Sequence, residues 1–201
     1  GEYVFGAGRG YKNIVFVTLG TGVGSGIIID GKLFLGNEGG GAEAGHMIID
    51  MSENAEKCNC GRTGCWEAYA SVSALIKQTK KAMAAHPESL MHEFAKKEGA
   101  VTGRTSFDAM RQKDPAAIEV VNNYIKYVSV GLVNLANIFR PEALLIGGGI
   151  SKEKDEYLAT PLQKILDGTT YGAKFNPKVV LKSATLHNDA GILGAAALII
   201  E

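Results

Sequence analysis

Residues 14–31 read IVFVTLGTGVGSGIIIDG, and this stretch is the strongest indicator of the fold. The β-branched residues at 14–19 predict a strand that ends in a glycine run. Residues 26–30 predict a second strand. Asp30-Gly31 is a strong two-residue hairpin sequence, so residues 32–35 are expected to return as a third strand. The chain therefore opens with a meander of strands around a glycine loop.

The rest of the chain alternates helices and strands. The most periodic apolar pattern predicts a helix over 115–139, and its stripe consists of Ile118, Val121, Ile125, Val128, Leu132 and Leu135. Further helices are predicted at 66–85, within 88–112, at 153–167 and from Asp189 onward. Short strands are predicted at 46–50, 143–146 and 179–181. This order predicts an α/β fold.

Composition excludes several classes of function. Lys plus Arg and Asp plus Glu are balanced at 21 each, so no strong field favours nucleic acid or an anionic membrane through this part of the chain. The sequence contains no apolar window long enough for a transmembrane helix. There are 26 glycines among 201 residues, which indicates tight turns and close approach of backbone to ligands.

The three cysteines lie close together at Cys58, Cys60 and Cys65. An odd, clustered set is a poor disulfide framework and suits a metal site in a reducing, cytoplasmic protein. Zinc takes four tetrahedral ligands, and His46 is the first choice for the fourth. The alternatives are three buried thiols beside a core histidine, or a redox pair, which Cys-x-Cys spacing disfavours.

Two glycine loops could contact phosphate. The loop at 20–26 lies between two strands and is not a Walker loop, but its N–H groups and the Thr21 hydroxyl could bind phosphate oxygens. The loop at 147–149 follows a buried strand, where nucleotides often meet an α/β sheet. A ligand-free hairpin and an ordinary tight turn remain the respective alternatives.

Two carboxylates flank the cysteine segment. Glu43 lies three residues before His46, and Glu67 lies two residues after Cys65. Both would lie near a shared metal and could accept hydrogen bonds from sugar hydroxyls. A solvated loop residue at Glu43 and a favourable first-turn charge at Glu67 are the alternatives.

Together these motifs resemble the ROK family of sugar kinases and sugar-responsive repressors. The family signature is present as Glu43-Ala44-Gly45-His46 and as the run from Cys58 to Glu67, CNCGRTGCWE. The segments 20–26, 145–151 and 189–196 match the family's phosphate loop, adenosine-side segment and C-terminal helix. The resemblance covers nearly the whole chain and is weakest over 84–115.

The resemblance implies an actin-like ATPase (RNase H-like) fold with a zinc-binding loop insertion at 46–67. It implies structural zinc on His46, Cys58, Cys60 and Cys65, and sugar binding by Glu43, His46 and Glu67. It implies that ATP with Mg²⁺ binds at Gly20, Thr21, Gly22, Gly24, Gly147, Gly148 and Gly149. The implied function is phosphorylation of a hexose, with glucose the first choice, in a homodimer. A sugar-sensing repressor with an upstream helix-turn-helix is the alternative.

The sequence departs from the family pattern at its start. The general base of the family is an Asp in an Asn-Asp-Ala-Asn-like segment, and residues 1–201 contain no such segment. The Asp-x-Gly-x-Thr phosphate motif is also absent. We therefore expect residues 1–201 to be the C-terminal domain of the kinase, with the catalytic Asp and the N-terminal domain upstream of residue 1. This part alone is expected to be inactive.

Overall fold

The structure is a computed structural model that describes residues 1–200, with side chains through residue 199. The chain divides into two compact units. The sheet unit contains Gly1–Leu19, Gly24–Ala44 and the described residues from Leu132 onward. The helical unit contains Gly20–Val23 and Gly45–Gly131.

A five-stranded sheet forms the centre of the sheet unit. Its strands are β1 (Ile14–Leu19), β2 (Val23–Ile29), β3 (Lys32–Leu33), β4 (Ala143–Gly147) and β5 (Val180–Ser183), in the order β3-β2-β1-β4-β5. β4 pairs in parallel with both β1 and β5, whereas β2 and β3 are antiparallel. All five residues of β4 are buried, as expected for a central parallel strand. The expected α/β class is thus confirmed.

The hairpin forms where Asp30-Gly31 predicts it. Both residues have positive φ, 50° for Asp30 and 79° for Gly31, which a two-residue type I′ turn requires. β2 begins at Val23 and includes the glycines, three residues earlier than expected. β3 ends at Leu33, two residues earlier than expected.

The helices are α1 (Glu2–Phe5), α2 (Glu67–Ala70), α3 (Val72–Ala85), α4 (Met91–Glu98), α5 (Thr105–Arg111), α6 (Pro115–Phe139), α7 (Ala159–Thr169) and α8 (Asp189–Ile200). α6 has the predicted bounds, and its stripe residues Val121, Val128 and Leu132 are fully buried. None of the helices in the described residues is both long and apolar enough to cross a membrane.

Several predicted elements differ in detail. The helix expected over 66–85 is interrupted at Ser71, whose extended backbone (ψ 161°) and side-chain cap on Ala74 N–H start α3 anew. Residues 46–50 form only an isolated bridge, between Ile48 and Cys65, and α7 begins at Ala159, after a 3₁₀ turn at Gly149–Lys152.

The sequence did not predict α1. Its first residue, Glu2, is buried, and the Glu2 carboxylate accepts hydrogen bonds from the N–H groups of Ala7 (2.9 Å) and Leu186 (2.6 Å). Burial acts to raise the pKa of Glu2, but these hydrogen bonds outweigh it and lower the pKa. The ionised carboxylate therefore ties α1 to the segment that precedes α8.

Candidate functional site

The predicted metal ligands come together in the helical unit. The ligand atoms of His46, Cys58, Cys60 and Cys65 all lie within 4.8 Å of one another. Sγ of Cys60 lies 3.6 Å from Sγ of Cys65, and Sγ of Cys58 lies 3.8 Å from Nδ1 of His46. A zinc ion with bonds of about 2.3 Å to sulfur holds tetrahedral ligand atoms roughly 3.8 Å apart. The donor set and its spacing fit a zinc ion.

Backbone hydrogen bonds shape the loop that carries the cysteines. Cys58 N–H donates to the Arg62 carbonyl at 2.8 Å, and Gly64 N–H donates to the Glu56 carbonyl at 2.9 Å. Gly64 has φ of 78°, and a Cβ there would lie 1.8 Å from the Asp50 carbonyl oxygen. Only glycine permits this approach, which turns the chain so that Cys65 faces the other thiols.

Tyr69 of α2 binds two residues, Asp50 and Glu56, that precede the cysteines in the same loop. Its hydroxyl donates to the Asp50 carboxylate and accepts from Glu56 N–H, both at 2.7 Å. Burial, then the hydrogen bond to Asp50, raise the pKa of Tyr69 to about 12, so it remains a neutral donor. The loop is thus held at 50 and 56 by a residue that follows Cys65 by one helical turn.

The three thiols differ in how readily they ionise. Burial raises the pKa of Cys58 to about 12 and also raises the pKa of Cys65. The backbone N–H and then the side chain of Arg62 lower the pKa of the exposed Cys60 to about 6. The lowered pKa favours the thiolate form of Cys60, which is the form that binds metals.

Glu67 joins the metal cluster to the first glycine loop. Its Oε2 accepts a hydrogen bond from Val23 N–H at 3.0 Å, and its Oε1 lies 3.6 Å from Sγ of Cys58. A Cβ on Gly22 would lie 2.3 Å from Oε2, so a side chain there would displace this carboxylate from its place beside the loop. Because Nδ1 of His46 faces the cluster, its Nε2 is the ring nitrogen left for another partner.

The loop also approaches the segment that precedes His46. A Cβ on Gly45 would lie 2.1 Å from the Val23 carbonyl oxygen. Within the helical unit, Val23 therefore contacts both Glu67 and Gly45, the residue before His46. The sequence predicted each of these residues separately but not the contacts among them.

The remaining predicted residues lie in the sheet unit. Glu43 is exposed, and Ser25 holds the backbone on both sides of it: the Ser25 hydroxyl donates to the Ala42 carbonyl and accepts from Ala44 N–H (3.2 Å). Gly24 belongs to the same unit, in β2.

The second glycine loop ends β4. Gly148 has φ of 87°, and a Cβ there would lie 2.3 Å from the Leu19 carbonyl oxygen at the end of β1. The Ser151 hydroxyl donates to the Gly148 carbonyl at 2.8 Å. Residues 147–149 thus form a tight turn at the carboxyl ends of two parallel strands, a common position for ligands in α/β sheets.

Sequence reasoning missed two residues near the loop at 20–23 and the metal cluster. The Ser73 hydroxyl donates to the Thr21 carbonyl at 2.8 Å, although nothing in the local sequence distinguishes Ser73 from other helix-start serines. Gly131 lies against the Trp66 ring, where a Cβ would lie 2.0 Å from the nearest ring atom. A glycine inside the apolar stripe of a long helix is a recognisable indication of such close packing.

Comparison with known proteins identifies relatives over the whole chain. The family model described as "ROK family" matches residues 1–201. A glucokinase of Streptomyces coelicolor is 39% identical over 204 residues, covering 100% of this chain and 63% of the relative. A xylose repressor of Bacillus spizizenii is 32% identical over 201 residues, covering 100% of this chain and 47% of the repressor.

Solved structures share the fold. A ROK family glucokinase from Streptomyces griseus, in complex with glucose and AMPPNP, superposes with a TM-score of 0.87 at 36% identity. The match covers 98% of this chain and 63% of that one. The chain thus spans less than two thirds of the length of the relatives described here.

Proposed function

Since this chain belongs to the ROK family, we propose that the protein is a hexose kinase that uses ATP, with glucose as its substrate. One observation carries the proposal: Glu67, which is expected to bind sugar, contacts the loop expected to bind phosphate. Glu67 makes this connection through its 3.0 Å hydrogen bond from Val23 N–H. Phosphoryl transfer requires this proximity, because the sugar hydroxyl must lie close to the γ-phosphorus.

The expected residues have distinct tasks. Glu43, Nε2 of His46 and Glu67 bind sugar hydroxyls and orient the sugar. The loops at 20–24 and 147–149 bind the phosphates and the nucleotide of ATP with Mg²⁺, and N–H groups such as those of Thr21 and Gly22 stabilise developing negative charge there. A zinc ion on His46, Cys58, Cys60 and Cys65 would be structural and would fix the orientation of the imidazole.

The proposal is tested with purified full-length protein and ATP. We expect ADP release with glucose, and weaker or no release with fructose, N-acetylglucosamine, N-acetylmannosamine or allose. Glu67→Gln keeps an oxygen that can accept the Val23 hydrogen bond but removes the charge, so it should raise KM for glucose. Glu93→Gln, at an exposed residue of α4, is the matched control. Absence of ATP-dependent phosphorylation of every hexose would refute a kinase function.

A sugar-sensing repressor is the second candidate, because a xylose repressor matches the entire chain at 32% identity. A repressor would bind a sugar without consuming ATP, and its full-length form would bind an operator duplex. A gel-shift titration with and without sugar, beside the kinase assay, separates the two functions. Balanced charge within residues 1–201 does not favour nucleic-acid binding by this part of the chain.

A further inference from the structure

The carbonyl groups of the first glycine loop are bound to the start of α3. The Gly20 carbonyl accepts a hydrogen bond from Val72 N–H at 2.8 Å. The Thr21 carbonyl accepts one from the Ser73 hydroxyl, also at 2.8 Å. All four residues belong to the helical unit. Two successive carbonyls of the loop therefore point toward the same short segment.

This arrangement determines where the N–H groups point. In a trans peptide the N–H and the C=O point in opposite directions, so the N–H groups of Thr21 and Gly22 point away from the start of α3. Within the described chain, neither N–H has a recorded hydrogen-bond acceptor. Neighbouring N–H groups that point the same way form a concavity that binds anions. Val23 N–H is already bound to Glu67, so it is not part of that concavity.

We propose that Ser73 is a positioning residue for the phosphates of the nucleotide, an inference that rests on the proposed kinase function. Its hydroxyl holds the Thr21–Gly22 peptide so that the N–H of Gly22 faces the phosphate. Without the hydroxyl this peptide can rotate and turn the Thr21 carbonyl toward the anion, which repels it. Val72 contacts the loop through its backbone N–H, which a substitution does not remove. Ser73 contacts the loop through its side chain, so the Ser73 hydroxyl can be removed while the contact from Val72 N–H to the Gly20 carbonyl is kept.

Ser73 is a suitable position for a clean test. It is exposed at the start of α3, so loss of its hydroxyl leaves no cavity in the core. One hydrogen bond of this kind corresponds to a factor of about three to ten in an equilibrium constant. Ser73→Ala in the full-length protein should therefore raise KM for ATP about three- to tenfold. KM for glucose and the melting temperature should not change, because the sugar-binding residues and the core are untouched.

Two variants and one binding measurement complete the experiment. Ser73→Thr keeps the hydroxyl and should restore the KM for ATP. Ser129→Ala removes a hydroxyl that donates to the Lys126 carbonyl within α6 and should leave both KM values unchanged. Calorimetric titration with AMPPNP should give the same three- to tenfold weakening for Ser73→Ala, independent of turnover.

The outcomes separate the two proposals. If the wild-type protein phosphorylates no hexose, the proposed function fails, whatever the variants do. If the wild type is active but Ser73→Ala has the wild-type KM for ATP and affinity for AMPPNP, the inference about Ser73 is wrong. If Ser73→Ala weakens glucose and ATP equally, or Ser73→Thr does not restore ATP binding, the residue has only a general structural role and the inference is also overturned.

Discussion

Replacement of Gly131 by alanine tests how the metal-binding segment is held in place. Trp66 lies in sequence between the predicted metal ligand Cys65 and Glu67, and it is fully buried. Its Nε1–H donates to the Tyr127 carbonyl of α6 at 2.8 Å. The ring lies on Gly131, so an alanine Cβ would lie 2.0, 2.3 and 2.3 Å from three ring atoms. The ring would have to move by about 1.4 Å to reach an ordinary contact of 3.4 Å.

The expected cost follows from three contributions. Overpacking of a close-packed core costs about 1–3 kcal/mol. Displacement of the ring weakens the Trp66–Tyr127 hydrogen bond, which costs about 1–3 kcal/mol if the donor is left buried without a partner. Alanine gains up to about 1 kcal/mol over glycine in a helix interior. Gly131→Ala should therefore lower the free energy of unfolding by about 1–5 kcal/mol.

Urea unfolding followed by far-UV circular dichroism measures this change, and metal content by mass spectrometry reports on Cys65. We expect Gly131→Ala to lower both the free energy of unfolding and the metal content. Gly168→Ala is the matched control, because Gly168 is also helical but a Cβ there meets no atom within 4 Å. That variant should be more stable by up to about 1 kcal/mol, since only helix propensity changes.

A double-mutant cycle isolates the contact. Trp66→Leu alone should destabilise the protein by creating a cavity, but it provides room for the methyl group of Gly131→Ala. The two substitutions together should therefore cost less than the sum of their separate effects. If Gly131→Ala is as stable as the wild type, or if the effects simply add, the close contact between Trp66 and Gly131 does not hold this segment and the reasoning fails.

Two further predictions concern the metal cluster and one buried carboxylate. If zinc binds at His46 and the three cysteines, its removal by a chelator should lower the melting temperature, because zinc at a thousandfold excess over its Kd stabilises by about 4 kcal/mol. Cys60→Ser should lower it similarly and abolish the effect of the chelator; an unchanged melting temperature in both cases would contradict a structural metal. The Asp114 carboxylate accepts hydrogen bonds from Ala117 N–H (2.7 Å), Leu90 N–H (2.8 Å) and the Ser89 hydroxyl (3.1 Å). Burial acts to raise the pKa of Asp114, but these bonds lower it overall, so the stability that it contributes is present above its unfolded pKa of about 3.9 and is lost as pH falls through the lower folded value. Asp114→Asn should therefore cost about 1–2 kcal/mol in urea unfolding at neutral pH and progressively less as pH falls below the unfolded pKa of about 3.9, and a cost independent of pH would contradict this account.

The local sequence was sufficient to predict those secondary-structure elements that short-range residue patterns determine. Strand β1 and helix α6 have the predicted bounds, because a run rich in β-branched residues and a sustained 3.6-residue apolar period each favour one conformation. The hairpin at Asp30-Gly31 also formed as predicted, since few residues other than glycine, asparagine and aspartate adopt positive φ readily. The predicted ends of other elements were less accurate, as at α7, because the residue at which a helix begins or ends depends on contacts outside the helix.

The candidate metal site was predictable from the sequence in part only. Residue types and spacing identified His46 and the three cysteines, because few side chains bind zinc and all three thiols occur within eight residues. Only the folded loop shows that Nδ1 of His46 faces the cluster and that Arg62 lowers the pKa of Cys60. Ligand identity is a property of the sequence, whereas orientation and charge depend on the surroundings.

The chain's composition and motifs determined the α/β class, the set of candidate metal ligands and the resemblance to the ROK family. Only the tertiary structure decided that Glu67 binds the loop at Val23, that Ser73 holds the Thr21 carbonyl, and that Trp66 lies against Gly131. These contacts join residues 44, 52 and 65 positions apart. Periodicity and local propensity act over about one or two turns, so they contain no information about which distant groups meet; packing of the folded chain supplies it.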